Sequence, residues 1–307
     1  MPEYGPYEGF CYKIRRKSKR EKGNIDVQKA IIDMAQISIL VSNSPADYFT
    51  CMFEYFHYFK SHYVVQVTDE LVHALLNSKL QLEMDELRLP HQIFEINFDT
   101  KTRIEGIPFA LPGVLVCTEI KNQDSCKEFG QLTGMDAKGI NMFADTTLFS
   151  MRHGCPDKND PLAEVQMHNC NLKLDELKNN NIEDVIEALP TILSGVAFND
   201  QEKKIQKVLC HLVMSVICYL HMDEPDVEKI KPSNRPRMGN TLPNAFVLGR
   251  KMPAGSFFRK AHFRRLMHER FKRKDGGGFR TIWIKSYEVN KGQEAAHTTK
   301  KVEEIGV

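Results

Sequence analysis

No stretch of this sequence is apolar over a bilayer's width. The most hydrophobic run, Val208–Met222, is fifteen residues long and contains His211, so it reads as a buried helix. Residues 1–22 lack an apolar h-region, and no secretory signal is expected there. Eight cysteines are present without a single Cys-x-x-Cys spacing. That excludes the pattern of a secreted disulfide framework and fits free thiols in a cytoplasm. The chain also lacks a P-loop, a GxGxxG after a strand, an HExxH and a GxSxG. Without one of these, no conventional enzyme class is supported, and no cofactor is expected. Tryptophan is nearly missing, Trp283 being the only one. What remains is an ordinary globular composition, 42% hydrophobic and 27% charged over 307 residues. That length suffices for one large domain or two modest ones.

The net charge of +2 conceals a strong segregation. Arg250 to Lys291 holds thirteen basic residues against three acidic ones, a local charge of +10, leaving −8 for the rest. Aromatic residues interleave these cations: Phe257, Phe258, Phe263, Phe271, Phe279, Trp283 and Tyr287. Cations beside flat rings suit a phosphate backbone and unstacked bases. Arg259, Arg264, Arg265, Arg270, Arg273 and Arg280 are therefore the candidate nucleic-acid contacts, with Phe263 and Trp283 as stacking partners. Asp275-Gly-Gly-Gly278 is a turn and Thr281–Lys285 a strand, which makes 257–291 a basic β-hairpin arm about the glycines. A second basic run, Lys13 to Lys22, is read as a solvated tail or loose first helix, with a second nucleic-acid patch as the sharper alternative.

Apolar spacing predicts a helix from Ile25 to Leu40 with Asn24 as its cap, and another opened by Ser44-Pro45. The second is dense in rings, with Phe49, Phe53, Phe56 and Phe59 on one face and Tyr48, Tyr55 and Tyr58 around the sides. Such a face is usually core; the alternative is a groove in which Phe49, Phe53, Phe56 and Tyr58 hold a peptide. Thr68 caps a helix to about Ser78, with Leu80–Leu87 as its extension. Strands are expected at His91–Phe98, around Gly113–Cys117 and over Gly139–Phe149, paired as an antiparallel meander. Asp160-Pro161 opens a short helix, Ile182–Leu193 forms one interrupted at Pro190, and Asp200 caps the long helix to Met222. The fold class is α+β. The divisions are a basic tail (1–23), a helical lobe (24–88), a sheet with helices (89–229), a linker (230–256), the arm (257–291) and a flexible tail (292–307).

Two linked stretches carry a family resemblance. One is the apolar helix LCHLVMSVICYLHM with its exit DEPDV. The other is Arg259-Lys-Ala-His262-Phe-Arg264 followed by Arg280-Thr-Ile-Trp283-Ile and Tyr287-Glu-Val-Asn290. Together they resemble a family carried by phages and other mobile elements, which includes the type V-A anti-CRISPR protein that blocks production of the CRISPR effector nuclease. The family's arm has the form Arg-Arg-Gly-His-Trp, a glycine-rich turn and a Trp-containing strand ending in Val-Asn. The strand at 89–98 is similar to a further family feature. The match covers about the last third plus that strand, and the first 80 residues show none. Ala261 replaces the family's glycine and Phe263 its tryptophan, as in a divergent member. The resemblance implies a counter-defence protein in a bacterial host's cytoplasm. Its partners would be the nascent N-terminal peptide of a target, the effector nuclease or another host protein, and RNA, message or ribosomal. The outcome would be lowered message and production of the target. No membrane partner is expected, and the oligomeric state is left open.

Chemistry within the arm has one candidate pair, His262 and His268, set among arginines. Two imidazoles and a cation suit metal-independent RNA cleavage by 2′-hydroxyl attack, one accepting a proton and the other donating one. The blander alternatives are phosphate binding without chemistry, which is favoured, and a basic phage protein that binds nucleic acid without sequence choice. His153-Gly-Cys155 and His168-Asn-Cys170 have zinc-type ligands in spacing tighter than usual, and unrelated residues are the favoured reading. His57 and His62 are poorly spaced for a joint role. Asp223, Glu224 and Asp226 are read as ending a helix, and no metal site is expected.

Overall fold

The computed structural model describes residues 11, 14–15, 17–18, 25–40, 45–59, 63–80, 82–84, 87, 91, 93–99, 101–105, 107, 110–111, 113–118, 124–135, 148–155, 166–173, 177, 180–192, 200–222, 225–230, 244–249, 262–265 and 281–284. Helix α1 spans Val27–Leu40. Asp26 Oδ1 accepts from the N–H groups of Gln28 at 2.9 Å and Lys29 at 3.2 Å, so Asp26 is the cap. Asn24, expected in that role, lies outside the described residues. Helix α2 is Pro45–Phe59, with Pro45 in its first turn as the sequence indicates. Ahead of them, the described residues of 11–18 are helical. Cys11 is fully buried, its thiol 3.8 Å from the Glu54 carbonyl, and Arg15 Nη1 donates to the Tyr58 hydroxyl at 3.2 Å. Of the two forms expected for this run, solvated tail or loose first helix, the described residues take the helical one, with Cys11 and Arg15 against α2.

The sheet is larger than the expected meander. Its strands are β1 (Tyr63–Val67), β2 (Ile93–Phe98), β3 (Val114–Thr118), β4 (Leu148–Cys155), β5 (Gln166–Lys173), β6 (Val227–Ile230) and β7 (Asn244–Leu248). Their order is β5-β4-β3-β2-β1-β7-β6. The consecutive antiparallel pairing of β2, β3 and β4 is as expected, although the third strand begins at Leu148 and residues 139–147 lie outside the described ones. Around β1 the pairing is parallel, with β2 on one side and β7 on the other. β1 is therefore an interior strand of the sheet, inside the stretch read as a helical lobe, and β7 is another, inside the stretch read as a linker. Both are five residues long, too short for periodicity to announce them. A second, two-stranded sheet pairs β8 (His262–Arg265) with β9 (Thr281–Ile284).

The remaining helices are α3 (Asp69–Leu76), α4 (Asp124–Thr133), α5 (Ile182–Ile192) and α6 (Asp200–His221). Helix α5 is capped by Asn181, whose side chain accepts from Glu183 N–H at 2.9 Å, and it runs through Pro190 instead of breaking there. Leu80–Leu87 is not a continuation of α3. Leu82 and Met84 instead hydrogen-bond across to Ile182 and Asn180, an extended crossing that buries Leu80, Leu82 and Met84.

Helices cover both sheet faces. Phe94, Ile96 and Phe98 of β2 join Val65, Val114 and Leu248 in one core with residues of α3, α5 and α6. Ile93, Leu115 and Cys117 join a second core built from α1, α2 and α4. Strands buried on both faces read as apolar runs, and all six residues of β2 are buried. The molecule is α+β, as expected, and β2 is buried along its whole length.

Candidate nucleic-acid interface

The arm's strands meet in a short antiparallel ribbon. Its register sets His262 opposite Ile284, Phe263 opposite Trp283, Arg264 opposite Ile282 and Arg265 opposite Thr281. An alternating β-strand places residues two apart on one side, and directly opposed residues share a side. The backbone register thus groups the positions of Phe263 and Trp283 with that of Arg265. On that side it brings together three of the residues singled out from the sequence, Phe263, Arg265 and Trp283, while the position of Arg264 falls on the other side with that of His262. Arg259, Arg270, Arg273 and Arg280 lie outside the described residues. So does His268, which leaves His262 on β8 as the one described member of the cleavage pair.

An aromatic pair across a ribbon, next to arginine positions, suits a flexible strand of nucleic acid. Bases stack on rings at a worth of about 1–3 kcal/mol each, and guanidiniums neutralise the phosphates between them. The surrounding sequence adds the charge, since Arg250 to Lys291 carries +10.

The ring-rich helix α2 turns inward. Phe53, Phe56 and Tyr58 are buried, and the side chain of Phe49 lies outside the described ones. Phe129 of α4 is their centre: its ring centroid lies 5.4 Å from Tyr48, 5.4 Å from Tyr55 and 6.2 Å from Phe56. Thr133 fixes the same junction, its hydroxyl 3.2 Å from the Tyr48 hydroxyl and its carbonyl accepting from Gln36 at 2.7 Å. These rings are spent on core packing, so they do not line an open peptide groove.

The paired His-x-Cys motifs fall on neighbouring strands, but the register separates them. His153 opposes His168, whereas Cys155 opposes Gln166 and Cys170 opposes Met151. Cys155 and Cys170 are thus offset by four positions, about 13 Å along the ladder at the usual rise. Zinc–sulfur bonds of about 2.3 Å cannot close one tetrahedral site across that span. Among the described residues, no group of three His, Cys, Asp or Glu side chains could hold a metal ion.

A buried polar pair escaped the sequence reading. His57 Nε2 of α2 lies 3.2 Å from Glu95 Oε2 of β2, both side chains essentially without solvent contact. Its signal was present: Glu95 is the one charged residue in the strand Ile-Phe-Glu-Ile-Asn-Phe. Recognising it required knowing that both faces of β2 are covered. Elsewhere, His211 Nε2 lies 3.0 Å from the Leu75 carbonyl, joining α6 to α3, and burial holds its imidazole below the ordinary range. Among the described residues, no helix is long and apolar enough to cross a membrane.

No protein-family model matches this chain, and no curated protein matches it. Among solved structures it is similar to the crystal structure of AcrVA2, with 13% sequence identity and a TM-score of 0.46, over 91% of this chain and 93% of that one.

Proposed function

We propose that this protein binds single-stranded RNA through the β8–β9 hairpin and acts as a counter-defence protein of the kind its motifs resemble. The observation that carries the RNA part is the register that sets Phe263 opposite Trp283, with Arg265 on the same side and Arg264 at the ribbon's other side. The sequence resemblance supports the setting, in which a nascent N-terminal peptide is recognised and its message and production fall. With the rings of α2 enclosed, the peptide would add as a strand at a terminal strand of the large sheet, β5 or β6.

Trp283 is the only tryptophan, so its emission reports on the hairpin directly. Single-stranded RNA is expected to quench it. Replacing Phe263 with Ala should weaken binding by about 5- to 100-fold, the worth of one stacked base. Replacing Arg264 and Arg265 with Glu should weaken binding and flatten its salt dependence. Equal affinity for duplex DNA and single-stranded RNA would leave a basic module without this preference. For the cellular role, the protein is captured from bacteria translating a candidate target, and RNA and protein in the eluate are both sequenced. One nascent chain enriched with its own message supports the reading. Bulk nucleic acid with no favoured protein defeats it.

A further inference from the structure

Away from the hairpin, one end of the large sheet carries rings that the core does not enclose. Tyr63 opens β1 and Phe246 lies on β7; both are half-buried, and they share the sheet face of Val65 and Leu248. Their centroids are 4.9 Å apart with planes 29° from parallel. On the other side of Tyr63, the exposed ring of His91 stacks at 5.6 Å and 14°. Phe94 buttresses Tyr63 edge-on at 6.3 Å and 87°, and His91 Nδ1 lies 2.9 Å from the Ile93 carbonyl. The three rings form a ladder supported from the core.

A cation completes the strip. Lys229 of the terminal strand β6 is directly opposite Phe246 and is exposed, so it stands on the ring side. Glu228 alternates to the other face, opposite Val247. On the ring side, the described residues of β1, β6 and β7 include no carboxylate. Val227 is the one described large aliphatic exposed on this strip, at 37%.

We propose that His91, Tyr63, Phe246 and Lys229 form a second binding surface, for the bases and phosphates of a single-stranded nucleic acid. A stack of nearly parallel rings ending in an exposed imidazole is extended by another flat ring. Each of the four bases offers one, which makes such binding tolerant of sequence. Rings displayed on a sheet face are a recognised way of holding single-stranded RNA. Lys229 supplies the charge for a phosphate one step along the strip, and no carboxylate among the described residues of β1, β6 and β7 opposes it on that side. Among the described residues of the strip, Val227 is the one exposed large aliphatic an apolar peptide would bury. The surface shares no residue and no strand with the hairpin.

The test is photo-cross-linking of the full-length protein to a single-stranded oligonucleotide carrying 4-thiouridine, with adducts mapped by mass spectrometry. Adducts are expected at Tyr63, His91 or Phe246. In the exposed substitutions Lys229→Glu and His91→Ala, these adducts should fall about fivefold or more while those within 262–284 persist, stacking being worth roughly five- to a hundredfold in affinity. The unfolding temperature of each variant checks that the fold is retained. Adducts confined to other regions, or a yield at these rings that neither substitution changes, would overturn the proposal. So would capture of an aromatic photo-reactive peptide here with no oligonucleotide adduct. Ring adducts without any in the hairpin would defeat the hairpin reading and leave this one standing.

Discussion

His57 Nε2 and Glu95 Oε2 stand 3.2 Å apart and buried from solvent, one given by helix α2 and the other by the central strand β2. A pair sealed in this way is costly to half-remove, because the partner left behind has lost both its water and its companion. Either single substitution, His57→Leu or Glu95→Leu, should cost about 3–5 kcal/mol. The double substitution should recover much of that loss, since apolar residues of similar volume replace buried pairs at little cost. A double-mutant cycle from urea unfolding measures it. Strictly additive losses would mean that the two side chains are not coupled.

Two glycines with similar backbones make opposite demands on space. Gly249 has φ of +78°, and a Cβ there would lie 2.6 Å from Leu71 Cβ and 2.8 Å from Thr68 Oγ1. Gly134, at the end of α4, has φ of +66° with nothing within 4 Å of the added atom. Gly134→Ala should therefore cost only the left-handed penalty, about 1–2 kcal/mol. Gly249→Ala should cost that plus the displacement of α3, whose Leu71 is fully buried. Equal melting temperatures for the two variants would contradict the close approach of β7 to α3.

The contact between α6 and α3 should respond to acid. Burial lowers the pKa of His211, while its bond to the Leu75 carbonyl pulls the other way, and the net shift is downward from 6.5. The unfolded chain then binds the proton more readily than the folded one. This site's contribution is complete above about pH 6.5 and is lost as pH falls below it. Urea midpoints between pH 7.5 and pH 5 should fall further for the parent than for His211→Gln, which keeps a donor for Leu75. Parallel curves would remove His211 from the acid response.

At alkaline pH the sensitive group is Tyr219. Desolvation raises its phenol to about 12, and its oxygen accepts from the Asp226 N–H at 3.3 Å. Below the ordinary value of 10 both states hold the proton, so the stability this site contributes is fully present there. It is lost as pH rises from 10 towards 12. Difference absorbance between the parent and Tyr219→Phe should show no tyrosinate from this residue until pH approaches 12 or the protein unfolds. A transition near pH 10 in the folded protein would contradict its burial. The variant should also lose about 1 kcal/mol, the typical net worth of the missing hydrogen bond.

The sequence by itself determined the elements whose signal is local. Pro45 opening α2, the apolar repeat through α6 and the uniform hydrophobicity of Phe94, Ile96 and Phe98 all report on a residue's immediate neighbours. So do the segregation of charge into 250–291 and the hairpin that follows from it, since turn glycines and a flanking strand lie close together in the chain. Tertiary structure alone decided the rest. The five residues of β1 and of β7 become interior strands of the sheet only because strands distant in sequence bracket them, and no periodicity that short can announce a partner about 180 residues away. The rings of α2 could have lined a groove until Phe129, from a helix 70 residues on, closed over them. Glu95 is by sequence one position of an alternating strand, and only the covering of both faces makes it a buried carboxylate. A burial cost depends on what lies across the gap, and that is a property of the assembled chain.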